Sequence, residues 1–195
     1  ISYSSYTFNP DNTGKFGTAA TLQSGGAIDS CSYGGAVTVN NSIFGALGTR
    51  KIGDEDVSLG NTSKATSTSS GGGAIYAYKD LSIDNKDNSH SSFINNTSSS
   101  LGGAIYLAKG TSGSLNIASG SGSSTLFEKN TANMDGGAIY INRAIGTIST
   151  INNTTFKENT AGRDGGAIAH NYGILNINNF AKYSVIYIII AYIIR

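Results

Sequence analysis

A four-residue pattern, Gly-Gly-Ala followed by Ile or Val, recurs six times in this chain of 195 residues. The copies are Gly25–Ile28, Gly34–Val37, Gly72–Ile75, Gly102–Ile105, Gly136–Ile139 and Gly165–Ile168. A second pattern, Phe-x-x-Asn, occupies Phe93–Asn96, Phe127–Asn130 and Phe156–Asn159. Each of these Phe residues, and Phe16 as well, precedes a Gly-Gly pair by nine residues. Chance does not produce equal offsets, so the chain is a repeat protein whose units bury their apolar faces against one another.

Each repeat unit predicts three short strands joined by polar turns. Between Gly-Gly-Ala-Ile and the next Phe lies an apolar couplet: Leu81-x-Ile83, Leu115-x-Ile117, Ile148-x-x-Ile151 and Leu175-x-Ile177. The last four Gly-Gly pairs start 30, 34 and 29 residues apart, and the variation falls in turns. This spacing predicts an all-β parallel β-helix of about six coils, with like residues stacked at roughly 4.8 Å.

The alternation of side chains along a strand predicts which residues form the core. The inward set is Ile75, Ile105, Ile139, Ile168 and Val37, followed two positions later by Ala77, Leu107, Ile141 and Val39. Tyr76, Tyr106 and Tyr140 then point outward as a vertical stripe. Exposed Tyr residues could contact a protein or sugar partner, or they could stabilise the sheet by stacking along the strands.

The glycine pairs of the repeat have a predicted structural role at the corners. Two adjacent glycines leave room for a tight turn and for close approach of the coils. The pairs of the four regular units are Gly72 with Gly73, Gly102 with Gly103, Gly136 with Gly137, and Gly165 with Gly166.

The Phe and Asn residues of the repeat also have predicted structural roles. The three Phe residues form an internal column. Asn96, Asn130 and Asn159 form a hydrogen-bonded ladder, because Asn tolerates left-handed backbone and its amide can bond to the next coil.

The repeat pattern covers residues 1–182 and is irregular at 38–71, where the Gly-Gly pairs are unevenly spaced. Residues 183–195 form an apolar tail outside the pattern. Its ten consecutive apolar residues, Val185–Ile194, fall short of the roughly 20 needed for a membrane-spanning helix. We consider a sequence-end artefact, a terminal strand on the stack and a truncated anchor.

Composition excludes several classes of function. The net charge is +1 with scattered basic residues, which argues against nucleic-acid binding. A single cysteine, Cys31, excludes an intrachain disulfide. No phosphate-binding loop, catalytic triad order or metal-ligand pattern is present, so the sequence predicts no cofactor and no metal.

Polysaccharide lyases and hydrolases also use this fold, and they need clustered carboxylates. Asp54, Glu55 and Asp56 form the one acidic cluster, next to Arg50 and Lys51. We interpret it as a solvated loop, with a catalytic or cation site as the alternative.

Two further groups are candidate ligands. Asp135 and Asp164 occupy equivalent positions before Gly-Gly and could share a cation, although turn chemistry explains them more simply. His170 follows Ile168 by two residues and is predicted to face inward.

The alternation of Gly-Gly-Ala-Ile/Val with Phe-x-x-Asn resembles the repeat of the chlamydial polymorphic membrane proteins, from about Phe16 to Phe180. The resemblance implies a right-handed parallel β-helix, the passenger of an autotransporter, at the outer membrane or cell surface or in secreted form. It also implies that the protein acts as an adhesin.

We therefore expect a non-enzymatic, adhesin-like segment that presents loops and the Tyr76/Tyr106/Tyr140 stripe to a host-cell surface protein or glycan. Any membrane attachment would lie in parts outside this chain. The alternatives are a fragment of a carbohydrate-active enzyme and a purely structural spacer.

Overall fold

A computed structural model describes residues 25–30, 35–52, 54–64, 66–110, 113–179 and 188–190. Phe16, Cys31 and most of the predicted apolar tail lie outside these residues. The regular structure of the described residues consists of 21 strands, which we number β1 to β21 along the chain.

Nineteen of the strands form four parallel sheets, and each coil contributes one strand to each sheet that it reaches. The Gly-Gly-Ala-Ile sheet contains β1 (Ile28–Ser30), β7 (Ile75–Ala77), β11 (Ile105–Leu107), β15 (Ile139–Asn142), β19 (Ile168–Tyr172) and β21 (Ile188–Ile190). The couplet sheet contains β2 (Val37–Val39), β8 (Leu81–Asn85), β12 (Leu115–Ser119), β16 (Ile148–Asn152) and β20 (Ile174–Asn178). The Phe sheet contains β3 (Ile43–Phe44), β9 (His90–Ile94), β13 (Ser124–Glu128) and β17 (Thr154–Lys157).

The fourth sheet, which we call the Thr sheet, was not predicted. Its two-residue strands follow the Asn of the repeat: β6 (Thr62–Ser63), β10 (Thr97–Ser98), β14 (Thr131–Ala132) and β18 (Thr160–Ala161). The two remaining strands, β4 (Thr49–Ile52) and β5 (Glu55–Ser58), form an antiparallel hairpin. The predicted parallel β-helix is confirmed, with a short fourth strand added in four of the coils.

Like residues stack in register through the stack, as the repeat predicts. Ile75 pairs with Ile105, which pairs with Ile139, and Ile139 pairs with Ile168. All four side chains are buried in one core cluster. A single coil cannot bury this face, so the core exists only because neighbouring coils cover each other.

The Phe residues form a column of parallel rings inside the helix. Phe93 and Phe127 have ring centroids 4.7 Å apart, and Phe127 and Phe156 have centroids 5.1 Å apart. Phe44 extends the column below Phe93 at 4.8 Å. The interplanar angles are 10° or less, because strands in register place equivalent rotamers directly above each other.

The assignment of Val37 and Val39 to the Ile column was wrong. Both residues lie in the couplet sheet, where Val37 pairs with Leu81. Nine residues separate the Gly25 and Gly34 pairs, and a full coil needs about thirty, so the two tetrapeptides belong to one coil. Ile28 is the residue that pairs with Ile75.

The couplet of the fourth Gly-Gly-Ala-Ile unit is also shifted. Ile148 lies three residues before Ile151 and therefore on the opposite face of its strand. Its side chain is 52 % exposed, whereas Ser149 is buried and its hydroxyl accepts a hydrogen bond from the Leu115 backbone N–H at 3.2 Å. The inward couplet of this coil is Ser149-x-Ile151.

The first glycine of each pair turns the chain. Gly102 has φ of +61°, in the left-handed region that residues with a side chain avoid. A Cβ at this position would also overlap the carbonyl oxygen of Ile105. The equivalent glycines have φ between +65° and +73° and are Gly72, Gly136 and Gly165.

The second glycine of each pair lets the coils approach. A Cβ on Gly103 would overlap the carbonyl oxygen of Gly137 in the next coil. The same relation holds between Gly73 and the carbonyl oxygen of Gly103, and between Gly137 and the carbonyl oxygen of Gly166. The second glycines therefore form a column of their own, in which the backbone of each coil occupies the space that a side chain would need.

The predicted Asn ladder is present and runs through four coils. The side-chain amide of Asn96 donates to Asn130 Oδ1 at 2.9 Å, and the amide of Asn130 donates to Asn159 Oδ1 at 2.9 Å. Asn61 joins below, donating to Asn96 Oδ1 at 2.8 Å. The left-handed backbone lies one residue earlier than predicted, at Asn95, Lys129 and Glu158.

The described part of the predicted tail adds to the stack. Ile188–Ile190 pairs in parallel with β19, and Ile188 is in register with Ile168. The rest of residues 183–195 lies outside the described residues.

Candidate functional site

The predicted Tyr stripe exists, but its central member is not exposed. Tyr76, Tyr106 and Tyr140 are in register on the outer face of the Gly-Gly-Ala-Ile sheet. Tyr106 is only 1 % exposed, so its predicted exposure was wrong, and the other two are half-buried. The ring centroids are 5.4 Å apart between Tyr76 and Tyr106 and 5.5 Å apart between Tyr106 and Tyr140.

A second apolar cluster explains this burial. Leu101 and Ala108 are buried with Tyr106, and Met134 packs against them together with Tyr78. Leu101 and Met134 lie just before the Gly-Gly pairs, where the chain passes over the tyrosine rings. Burial raises the pKa of Tyr106 and raises that of Tyr140 to about 12, so both hydroxyls stay protonated at neutral pH.

Arg143 bridges three coils beside this cluster. Its side chain is fully buried, and its guanidinium donates to the carbonyl oxygens of Ala108 at 2.7 Å, Tyr78 at 2.8 Å and Lys79 at 2.6 Å. Burial lowers its pKa to about 10, while the charge of Asp80 opposes that effect. The guanidinium therefore remains charged at neutral pH and holds the corner between sheets together.

The predicted acidic cluster lies on the hairpin. Asp56 forms an ion pair with Lys51 at 3.2 Å, and the Lys51 ammonium also donates to the Asp54 carbonyl oxygen at 3.4 Å. The side chains of Asp54, Asp56 and Lys51 are exposed. The side chains of Glu55 and Arg50 are outside the described set.

The Asp135 carboxylate is paired with Arg163. Asp135 accepts two hydrogen bonds from Arg163, at 2.7 Å and 3.0 Å, and one from the Asp164 backbone N–H at 3.3 Å. Among the residues that the structure describes, no three His, Cys, Asp or Glu side chains converge as metal ligands.

His170 faces inward, as predicted, and occupies the core column of Ala77, Leu107 and Ile141. It is buried, and its Nε2 has no hydrogen-bond partner among the described residues. Burial lowers the pKa of the imidazole, and a hydrogen bond with the Tyr172 backbone offsets only part of this effect.

The buried His170 should make the stability of the protein depend on pH. The unfolded chain gains a proton near pH 6.5, and the folded protein does so only at lower pH. The free energy of unfolding should therefore decrease as the pH falls below about 6.5, by no more than about 1.4 kcal/mol per pH unit for one proton, and level off below the folded pKa. Urea denaturation between pH 7.5 and 5.5 measures this.

Leucine occupies the same column at Leu107, so His170→Leu should fold and should lack this pH slope. His90 is exposed, with its Nδ1 2.9 Å from the Ser124 hydroxyl, and His90→Gln is the matched control. An unchanged slope in His170→Leu would show that another group is responsible.

Two features of the structure were not predicted from the sequence. Phe44 and Asn61 belong to the Phe column and the Asn ladder, but the hairpin between them hides the Phe-x-x-Asn spacing. The tripeptide Asn61-Thr62-Ser63, identical to Asn96-Thr97-Ser98, was the available signal. The second is a basic residue four positions after the repeat Ile, at Lys79, Lys109 and Arg143.

The fold and these surfaces define a repeat solenoid that presents corner loops and one inserted hairpin. Residues 90–108, 124–142 and 153–171 match the model of the Chlamydia polymorphic membrane protein repeat. Each match begins at or just before a Phe-sheet strand, crosses the Thr sheet and extends into or just past a Gly-Gly-Ala-Ile strand. The chain therefore carries three segments that match this repeat.

No curated protein and no solved structure matches the chain. Within the described residues, no helix has the length and apolar character that crossing a membrane would require. The matched repeat is named after membrane proteins, which suggests an outer-membrane or surface location.

Proposed function

We propose that this chain is a non-enzymatic, adhesin-like segment of an exported surface protein, which binds a host-cell surface protein or glycan. The match to the polymorphic membrane protein repeat supports display at the cell surface. A β-helical lyase or hydrolase would need clustered carboxylates. Several of the described carboxylates instead pair singly with Lys or Arg, as in the 2.6 Å contact between Glu128 and Lys157.

The observation that carries the proposal is the hairpin of β4 and β5. It interrupts one coil of an otherwise regular rod, between Phe44 and Asn61. Gly45 lies against the carbonyl of Ile94, and Gly60 lies against the carbonyl of Asn95. These two glycines therefore occupy the x-x positions of Phe-x-x-Asn, and the residues between them are an insertion.

The insertion has the properties of a contact element. Leu47 is 47 % exposed at its base, and exposed Lys51, Asp54 and Asp56 lie along it. The Asn95 amide donates to the Ser58 hydroxyl at 3.0 Å, which ties the base of the hairpin to the next coil. Loops held on a rigid scaffold are where binding residues concentrate.

Excision of residues 46–59 tests the proposal, because it leaves Phe44-Gly45-Gly60-Asn61 and restores the repeat spacing. The variant should fold, and its free energy of unfolding should be unchanged or higher by up to about 2 kcal/mol, since a long loop no longer has to be closed. Its binding to cultured animal cells should fall by about tenfold or more. Circular dichroism and flow cytometry of labelled protein measure the two effects.

A variant with residues 46–59 replaced by a Gly/Ser linker of equal length is the matched control for loop length. It should bind as weakly as the excised variant. Full binding by the excised variant would exclude the hairpin as the contact. A second arm, Tyr76→Ser with Tyr140→Ser, tests the half-buried ends of the Tyr stripe. No binding by the wild-type protein would reject adhesion.

A further inference from the structure

A basic and aromatic strip lies at the corner where the Gly-Gly-Ala-Ile sheet turns into the couplet sheet. We define it as Tyr78, Lys79, Lys109 and Tyr172. Lys79 and Lys109 hold equivalent positions in consecutive coils, four residues after Ile75 and Ile105. The hairpin interrupts the corner between the Phe sheet and the Thr sheet, so the strip is a separate surface.

Each lysine of the strip lies over a tyrosine ring. The ammonium of Lys79 is 5.8 Å from the centroid of the Tyr78 ring, and that of Lys109 is 5.6 Å from the Tyr172 ring. Lys109 reaches Tyr172 two coils away, past the coil that carries Arg143. A cation over an aromatic face keeps its charge and its remaining N–H donors available to an anion.

The charge at this corner is uneven. Its connecting segments carry three cations, Lys79, Lys109 and Arg143, and one carboxylate, Asp80. Asp80 accepts hydrogen bonds from the Ser114 backbone N–H at 2.7 Å and from its hydroxyl at 3.2 Å. The negative charge of Asp80 also acts on buried Arg143. The surface that Lys79 and Lys109 form is therefore net positive.

The corner between the Phe sheet and the Thr sheet has no such excess of positive charge, because its lysines have acidic partners. Lys157 contacts Glu128 at 2.6 Å, and Lys129 contacts Glu158 at 3.5 Å. The basic strip is therefore a local feature of one side of the rod in a chain with a net charge of only +1.

We infer that this strip binds an acidic polysaccharide, whose chain runs along the rod axis. The strip spans three coil steps, roughly 14 Å, which accommodates a short row of linked sugar rings. Tyr78 and Tyr172 are half-buried and so offer part of their apolar surface to a sugar, and their hydroxyls can bond to sugar hydroxyls. Lys79 and Lys109 supply the charge that carboxylate or sulfate groups require.

Surface plasmon resonance of the full chain on immobilised heparin tests this inference, with polygalacturonate as the carboxylated probe and dextran as the neutral one. The double variant Lys79→Gln, Lys109→Gln should bind the acidic polymers about tenfold more weakly, a loss of about 1.4 kcal/mol. Binding should weaken further as salt is raised, because exposed charges are screened.

The matched control is Lys64→Gln with Lys129→Gln, which removes the same charge from exposed positions elsewhere on the rod. It should change binding less than twofold. Equal losses in the two double variants, or no binding of either acidic polymer by the wild type, would overturn the inference. Cell binding that needs Lys79 and Lys109 without any polysaccharide binding would also overturn it, in favour of a protein partner.

The proposed binding by the strip and the proposed binding by the hairpin can be tested independently. Excision of residues 46–59 should leave heparin binding unchanged, because the two surfaces lie at different corners. Loss of heparin binding in the excised variant would contradict the assignment to Lys79 and Lys109.

Discussion

Replacing Phe127 by Ala is expected to lower the free energy of unfolding by about 3–5 kcal/mol. The ring is fully buried, and it stacks on Phe93 below and Phe156 above. Its removal leaves a cavity in the middle of the column, which neighbouring coils cannot close because their hydrogen-bonded spacing is fixed. Equilibrium denaturation in urea, followed by circular dichroism, measures the loss.

Two controls separate cavity formation from a general intolerance to change. Phe127→Leu keeps much of the volume and should cost clearly less than Phe127→Ala. Phe156→Ala removes the top ring of the described column, which has one ring partner, and should also cost less. A loss below about 1 kcal/mol for Phe127→Ala would show that the column does not stabilise the stack.

The repeat made the centre of the molecule predictable. Parallel strands in register place equivalent residues above each other, so equal offsets in the sequence become columns in space. The burial of Ile105 and the stacking of Phe127 follow from this rule alone, as does the bonding of Asn96 to Asn130.

The surface was harder to predict, because its contacts do not follow the repeat. The alternation placed Tyr106 on the outer face correctly, but Leu101 and Met134, which cover it, lie outside the strands that defined the pattern. Nothing in the sequence distinguishes Arg143 from other basic residues. The length and direction of its side chain bring the guanidinium to the carbonyl oxygen of Lys79.

Insertions mislead a repeat analysis in a specific way. The hairpin separates Phe44 from Asn61 in sequence and leaves them together in space. The fixed Phe-x-x-Asn spacing therefore does not identify this repeat unit, although Phe44 lies in the Phe column and Asn61 in the Asn ladder. The duplicated Gly34 tetrapeptide misleads in the opposite direction, because it matches the pattern within a coil that already has its Gly-Gly pair.

Asn130→Ala is the second substitution with a large expected effect. The Asn130 amide donates to the Phe93 carbonyl oxygen and to Asn159 Oδ1, both at 2.9 Å. Its Oδ1 accepts from the Asn96 backbone N–H at 3.0 Å and from the Asn96 side chain at 2.9 Å. Each buried partner left unpaired costs roughly 1–3 kcal/mol, so the free energy of unfolding should fall by at least about 3 kcal/mol in urea denaturation.

Asn130→Asp keeps the shape of the side chain and tests the direction of these hydrogen bonds. Its carboxylate could still accept from Asn96, but it could not donate to Phe93 or Asn159. Because burial raises the pKa of a carboxyl group, the folded variant should hold its proton at a pH where the unfolded chain has lost it. Its free energy of unfolding relative to wild type should therefore decrease as the pH rises above about 4, until the folded carboxyl ionises, and stay low above that point. A deficit that does not change with pH would mean that the amide of Asn130 is not a required donor, and the ladder would then contribute shape alone.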